Sequence, residues 1–158
     1  MGLDTKHARE LAYRSLEANQ NSAIAMTIAG WIEAYSGNYP KGKELLANAQ
    51  RLSPRDPRAW LMAAGMAIAH LGESEFTEGA NWALKALAQN SRYTVAMRLL
   101  AANLASLGQV GSAGGAVSDM LKIEPDLTLR KLHVRLLFMH EELWQKLSHG
   151  LRLAGLPD

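Results

Sequence analysis

The sequence predicts an all-α chain built as an array of helical hairpins, and three observations carry that prediction. Apolar residues recur at helical spacing. Leu99, Leu100, Leu104 and Leu107 lead to Gly108, and Ala113, Ala116, Val117, Met120 and Leu121 lead to Pro125. The punctuation repeats: Pro54 stands 17 residues after Gly37, and Pro125 stands 17 after Gly108. No stretch alternates apolar and polar residues with period two, so no sheet is expected.

Taken in order, Ala8, Leu11, Ala12 and Leu16 give one small apolar face to a helix over about 5–18. A lone amphipathic helix cannot bury its face by itself, so this one is expected to meet an upstream partner or another copy. Ile24, Ile28, Trp31, Ile32 and Tyr35 mark a helix over about 22–36, and Gly37-Asn38 turns the chain. Pro40 suits the first turn of the next helix, where its missing N–H costs nothing. That helix runs through Leu45, Leu46 and Ala49 to about Leu52.

Asp56-Pro57 reads as an N-cap followed by a first-turn proline. The helix it starts carries Trp60, Leu61, Ala64, Ile68 and Leu71, a turn follows near Gly72 to Ser74, and a helix over about 75–89 carries Phe76, Ala80, Ala83, Leu84 and Leu87. The third hairpin covers about 93–123. Asp126 is read as the cap of a helix over about 127–136. A break near Phe138 precedes a last helix with Leu143, Trp144, Leu147 and Leu151 on one face, ended by Gly155 and Pro157. That helix is expected to cover the open edge of the third hairpin, and Trp144→Ala to cost about 3–5 kcal/mol.

The chain has 158 residues, 48% of them apolar and 20% charged, with a net charge of +2 and no cysteine. This is enough apolar matter for a core. It excludes a disulfide framework and cysteine-ligated zinc, and such a small net charge is not a nucleic-acid footprint. The opening MGLDTKHARE has no apolar signal region, and Lys6 stands where a myristoylated Gly2 would require Ser or Thr. The uncharged stretch 99–118 is too rich in Asn, Gln, Ser and Gly to span a membrane. A cytoplasmic location is therefore expected.

Superposing the units aligns Tyr39 with Phe76 and Val110, Gly42 with Gly79 and Ala113, and Ala49 with Ala86 and Met120. The small residues would let paired helices approach, and the bulky ones would plug the gap to the next hairpin. The middle unit carries about three extra residues, assigned to its first helix. A helix–turn–helix period of 34 resembles the tetratricopeptide repeat, TPR. Trp60 stands at the family's Trp position, and Pro54 and Pro125 at its closing Pro, with Ser91 replacing one. The resemblance implies a right-handed superhelix: a half-repeat at about 5–20, repeats at about 22–55, 56–92 and 93–125, and capping helices at about 126–155, all in one domain.

Three phrases are similar to the C-terminal TPR tails of bacterial class III adenylate/guanylate cyclases and of TolB-like regulators. They are Asp56-Pro57-Arg58-Ala59-Trp60, Ala86-Leu87-Ala88-Gln89-Asn90 and Gly150-Leu151-Arg152-Leu153-Ala154-Gly155-Leu156-Pro157. That resemblance implies a non-catalytic regulatory tail of a longer signalling protein.

Sequences that nearly carry chemistry fall short. Gly37 to Glu44 approaches a phosphate loop, but Glu44 replaces the magnesium-ligating Ser or Thr, and no strand precedes it. His140-Glu141 opens like a zinc motif, but Trp144 stands where the second His belongs. Gly108, Gly111, Gly114 and Gly115 do not follow a dinucleotide fingerprint and are assigned to close helix packing. The basic run Arg130, Lys131, His133 and Arg135 reads as a solvated helix face, with a phosphate or membrane partner as the alternative. No catalytic residue, cofactor or metal ligand is predicted.

In a TPR array the concave face is lined by the first helix of each unit, and that groove takes a peptide or helix. The candidate lining residues are Ile24, Thr27, Ile28, Trp31 and Tyr35, then Arg58, Leu61 and Met62, then Val95, Arg98, Leu99 and Ala102; Trp31 and Tyr35 stand at a spacing that also suits the core, and Trp31 is read as core first. The Lys and Asn residues of a carboxylate clamp are missing from these places. The expected partner is a protein or peptide, with pairing of two copies as the alternative.

Overall fold

The computed structural model describes residues 5–158, so Gly2 and the opening of the chain lie outside the described part. The described residues form nine helices and no strand. They are α1 Thr5–Ala18, α2 Ala23–Tyr35, α3 Tyr39–Leu52, α4 Ala59–Gly72, α5 Phe76–Gln89, α6 Thr94–Ser106, α7 Val110–Ile123, α8 Leu129–Arg135 and α9 Glu141–Leu153. Helices α2 and α3, α4 and α5, and α6 and α7 pack as consecutive antiparallel pairs, and each pair packs on the next.

The turns inside the pairs share one geometry. Gly37 N–H donates to Ala34 O and Asn38 N–H to Glu33 O; Ser74 and Glu75, then Gly108 and Gln109, repeat these bonds at the next two turns. The turning residue needs positive φ, which Gly37 (+89°) and Gly108 (+80°) adopt freely. Ser74 adopts it at +62° without that freedom. Gly42 lies in the close approach of α2 and α3, where a Cβ would stand 3.0 Å from Gly30 O. Ala49, Ala86 and Met120, aligned by the repeat, are all fully buried.

Several expectations need correcting. α4 begins at Ala59, not at Pro57. Asp56 instead closes a turn, its carboxylate accepting from Arg58 N–H at 2.8 Å. Most of the extra length of the middle unit therefore lies in the connection 53–58 rather than in α4, which has 14 residues against 13 in α2 and α6. The cap of α8 is Thr128, whose hydroxyl accepts from Lys131 N–H, not Asp126. Tyr39 does plug the gap to the next hairpin, its ring close against Gly72, but Val110 is 47% exposed.

Gly111 and Gly115 of α7 are not a packing device, whereas a Cβ at Gly114 would meet Ala154 O at 3.6 Å. A Cβ at Gly111 or Gly115 would meet nothing within 4 Å. Helix-interior Gly costs about 1 kcal/mol relative to Ala. Gly115→Ala is expected to raise stability by about 1 kcal/mol, read as a higher urea midpoint with an unchanged slope. A lower midpoint would mean that the position faces something unseen here.

The largest departure concerns α9. Leu143, Trp144, Leu147 and Leu151 are buried, as their spacing requires. Yet α9 does not simply extend the stack beyond α7. It lies across the row of first helices. His140 N–H donates to Tyr35 O at 2.7 Å at the end of α2, and Lys146 Nζ donates to Gly72 O at the end of α4. Gly150 rests on α6, where a Cβ would come within 2.7 Å of Ala102 Cα. The residue pattern of α9 shows that one face is buried but not which surface buries it.

All four tyrosines share one electrostatic property. Burial, first among its causes, pushes each phenol of Tyr13, Tyr35, Tyr39 and Tyr93 above its ordinary range; for Tyr35, the neighbouring Arg98 partly opposes the effect. A folded pKa above the unfolded value of about 10 favours the protonated phenol in the fold. The stability so gained is complete below pH 10 and is lost as pH rises through the folded values. Alkaline titration is expected to show tyrosinate absorbance appearing together with loss of helical dichroism. Tyrosinate rising near pH 10 in a fully helical protein would contradict it.

Candidate functional site

The first helices were expected to line one continuous groove, and the return of α9 divides it. Tyr35, at the end of α2, is buried with the ring of Phe138 edge-on at 5.2 Å. Leu99 and Ala102 of α6 are 2% and 0% exposed, which places them in the core and not in an open groove. Arg98 is also buried, beside the phenols of Tyr35 and Tyr93. The apolar pattern of α6 marked these residues as facing inward, but inward here means under α9.

What remains open is the N-terminal half of the face. Ile24, Thr27 and Ile28 of α2, Asp56 and Arg58 of the connection before α4, and Leu61 and Met62 in its first turn enclose a hollow of about 140 Å³. Ile24 and Ile28 are 42% and 52% exposed, whereas Met62 forms the buried floor. Trp31 fastens the two walls: its indole N–H donates to Leu61 O at 2.8 Å. Trp31 is therefore a structural strut, half-buried, with its ring 5.5 Å from that of Tyr35. Arg58 stands exposed at the rim, its guanidinium 3.4 Å from Asp56.

The hollow is held in place from behind by α1, which packs Ala12 and Leu16 against Ala29, Ile32 and Leu45. The joint is polar at one point. Glu33, fully buried, accepts from Arg9 Nε at 2.8 Å and Nη2 at 3.1 Å, from Tyr13 Oη at 2.7 Å and from Asn38 Nδ2 at 2.9 Å. These donors come from α1 and from the turn after α2, so one carboxylate locks three segments. The helical spacing of Glu33 gave no hint of this, because a charged residue in that pattern normally faces water.

The near-motifs resolve as structure. Lys43 of the loop-like stretch 37–44 lies in a helix and pairs with Glu73 and Glu75 of the next hairpin. His70, Glu73 and Glu75 lie close enough together to suggest metal ligands, but His70 bonds to Glu75 and the Lys43 ammonium already bridges both carboxylates. His140 stands at the N-cap position of α9. No helix among the described residues is long and apolar enough to cross a membrane.

No family model matches this chain. No curated protein matches it either. Among solved structures, the chain is similar to the crystal structure of PilW, a widely conserved type IV pilus biogenesis factor. The TM-score is 0.72 at 17% identity, over 96% of this chain and 66% of that one. At that identity the likeness establishes the fold, a TPR-like helical solenoid. The chain spans about two thirds of the length of the PilW structure.

Proposed function

We propose that residues 1–158 form one helical-repeat domain that binds a protein or peptide through the open half of its inner face and does no chemistry of its own. The observation that carries this reading is the pair Ile24 and Ile28. They are half exposed beside a preformed hollow whose walls Trp31 holds rigid. Branched apolar side chains left in water beside a fixed cavity favour an apolar anchor from a partner, and Arg58 and Asp56 supply a polar rim.

Similarity to the TPR tails of bacterial adenylate/guanylate cyclases and TolB-like regulators, in the three phrases given above, supports a role as the regulatory tail of a cytoplasmic signalling protein. The partner would then be either the upstream effector domain or a protein that reports to it.

The test compares wild type with Ile28→Asp as immobilised baits in a lysate. The expected result is a protein retained by wild type and lost from the variant, with equal melting temperatures for both baits. Identical captured sets would overturn the assignment of the site. Light scattering of the same two proteins covers the alternative. A wild-type mass that doubles with concentration, and a variant that stays monomeric, would assign this face to pairing of two copies.

A further inference from the structure

A second hollow, of about 400 Å³, lies between α8 and α9. Its walls are cationic. Arg130 and His133 project from α8 and Arg152 from α9, with the hydroxyl of Ser148 beside them. The His133 ring lies flat on the buried indole of Trp144, centroids 4.5 Å apart and planes 8° from parallel. Their neighbours in the basic run are occupied: Arg135 bonds to Glu124 and Lys131 to Asp126 O. Among the described residues Arg130 makes no ion pair and Arg152 is engaged only by Asp158, one of whose oxygens lies 3.2 Å from both Nε and Nη2. Asp158 is carried into the hollow by the tail, which Leu129 N–H ties down through Pro157 O at 2.7 Å.

We propose that this hollow is a binding site for a phosphate group. A guanidinium fork offers two parallel N–H donors to an oxyanion. Two such forks and an imidazole line one hollow, with the Ser148 hydroxyl, which donates to Gln145 O at 3.3 Å, beside them, and a tetrahedral phosphate has enough oxygens to meet several donors at once. Asp158 occupies one fork through a single oxygen, as a weak internal stand-in for the ligand. The hollow also has room beyond the phosphate for the group that carries it. The stack on Trp144 fixes the imidazole plane, so that one member of the donor set is held in place. This site is separate from the hollow between α2 and α4, and its failure would leave that reading untouched.

The test is a titration of the ¹⁵N-labelled full chain with inorganic phosphate and, separately, with phosphoserine, chloride holding the ionic strength constant. The indole N–H signals of the four tryptophans serve as site-resolved reporters. A saturable shift is expected at Trp144, with Trp31, Trp60 and Trp82 unmoved. Arg130→Gln and Arg152→Gln are each expected to weaken binding at least tenfold while leaving the amide spectrum elsewhere unchanged. Asp158→Asn removes the internal competitor and is expected to tighten binding severalfold. Tighter binding of phosphoserine than of phosphate supports the site with a phosphorylated residue as its ligand, and equal binding supports it with the free anion. No saturable shift at Trp144, or one that survives both arginine substitutions, overturns the proposal.

Discussion

Trp144→Ala is expected to lower the free energy of unfolding by about 3–5 kcal/mol, the range seen when a buried tryptophan is truncated to a methyl group. The indole is 8% exposed and belongs to the main core. One of its faces is covered by the His133 ring. Truncation leaves a cavity between α8 and α9 that the short α8, only seven residues long, has little backbone stiffness to span. Urea denaturation followed by far-ultraviolet dichroism reads the effect. Trp144→Phe is expected to recover more than half of the loss, because it restores ring volume and a stacking face. An alanine variant with the wild-type midpoint would place the ring outside the core.

Glu33→Ala is expected to cost about 3 kcal/mol. Bonds to a charged acceptor contribute about 1.5–3 kcal/mol each when buried, and four donors lose theirs together. The total is smaller than that sum because Arg9, the charged donor, is half exposed and recovers water. Asn38 is exposed and also recovers water, so the group left without its partner is the half-buried Tyr13 hydroxyl rather than a buried ion. Hydrogen exchange distinguishes the mode of failure. Amides of α1 are expected to lose most of their protection, and those of α4 to α7 little beyond the global change. Uniform loss would mean that α1 is integral to the cooperative unit rather than pinned to it.

Much of this architecture was legible in the sequence, and the physical reason differs by element. The helices α1, α3, α5 and α7 follow from periodicity, since each buries one face and leaves the other in water, whereas α4 and α6 are buried on nearly all sides and follow from their apolar content and flanking turns. The turns at Gly37 and Gly108 follow from the left-handed backbone they require. The turn at Ser74 shares that backbone, so residue identity alone understates it.

The candidate site was legible only in part. Ile24, Thr27, Ile28, Arg58, Leu61 and Met62 do converge. Leu99 and Tyr35 share the same helical phase but are buried beneath the chain's return. Periodicity specifies which side of a helix is apolar. It does not specify whether that side meets solvent, a ligand or residue 143. Nor does it reveal a carboxylate such as Glu33, whose four bonds include three from a helix 20 and 24 residues away.

The bond from His140 N–H to Tyr35 O joins points 105 residues apart in the chain. An open solenoid has only neighbour contacts, so it can nucleate anywhere and unzip from its tips. Here the far tip is stitched to the near one, and the array is a closed loop. During synthesis the hairpins can form as they leave the ribosome, but the clasp waits for α9, when nearly the whole domain has emerged. Sequence-distant closure of this kind slows the last step of folding. It also makes fraying at one end a loss felt at both.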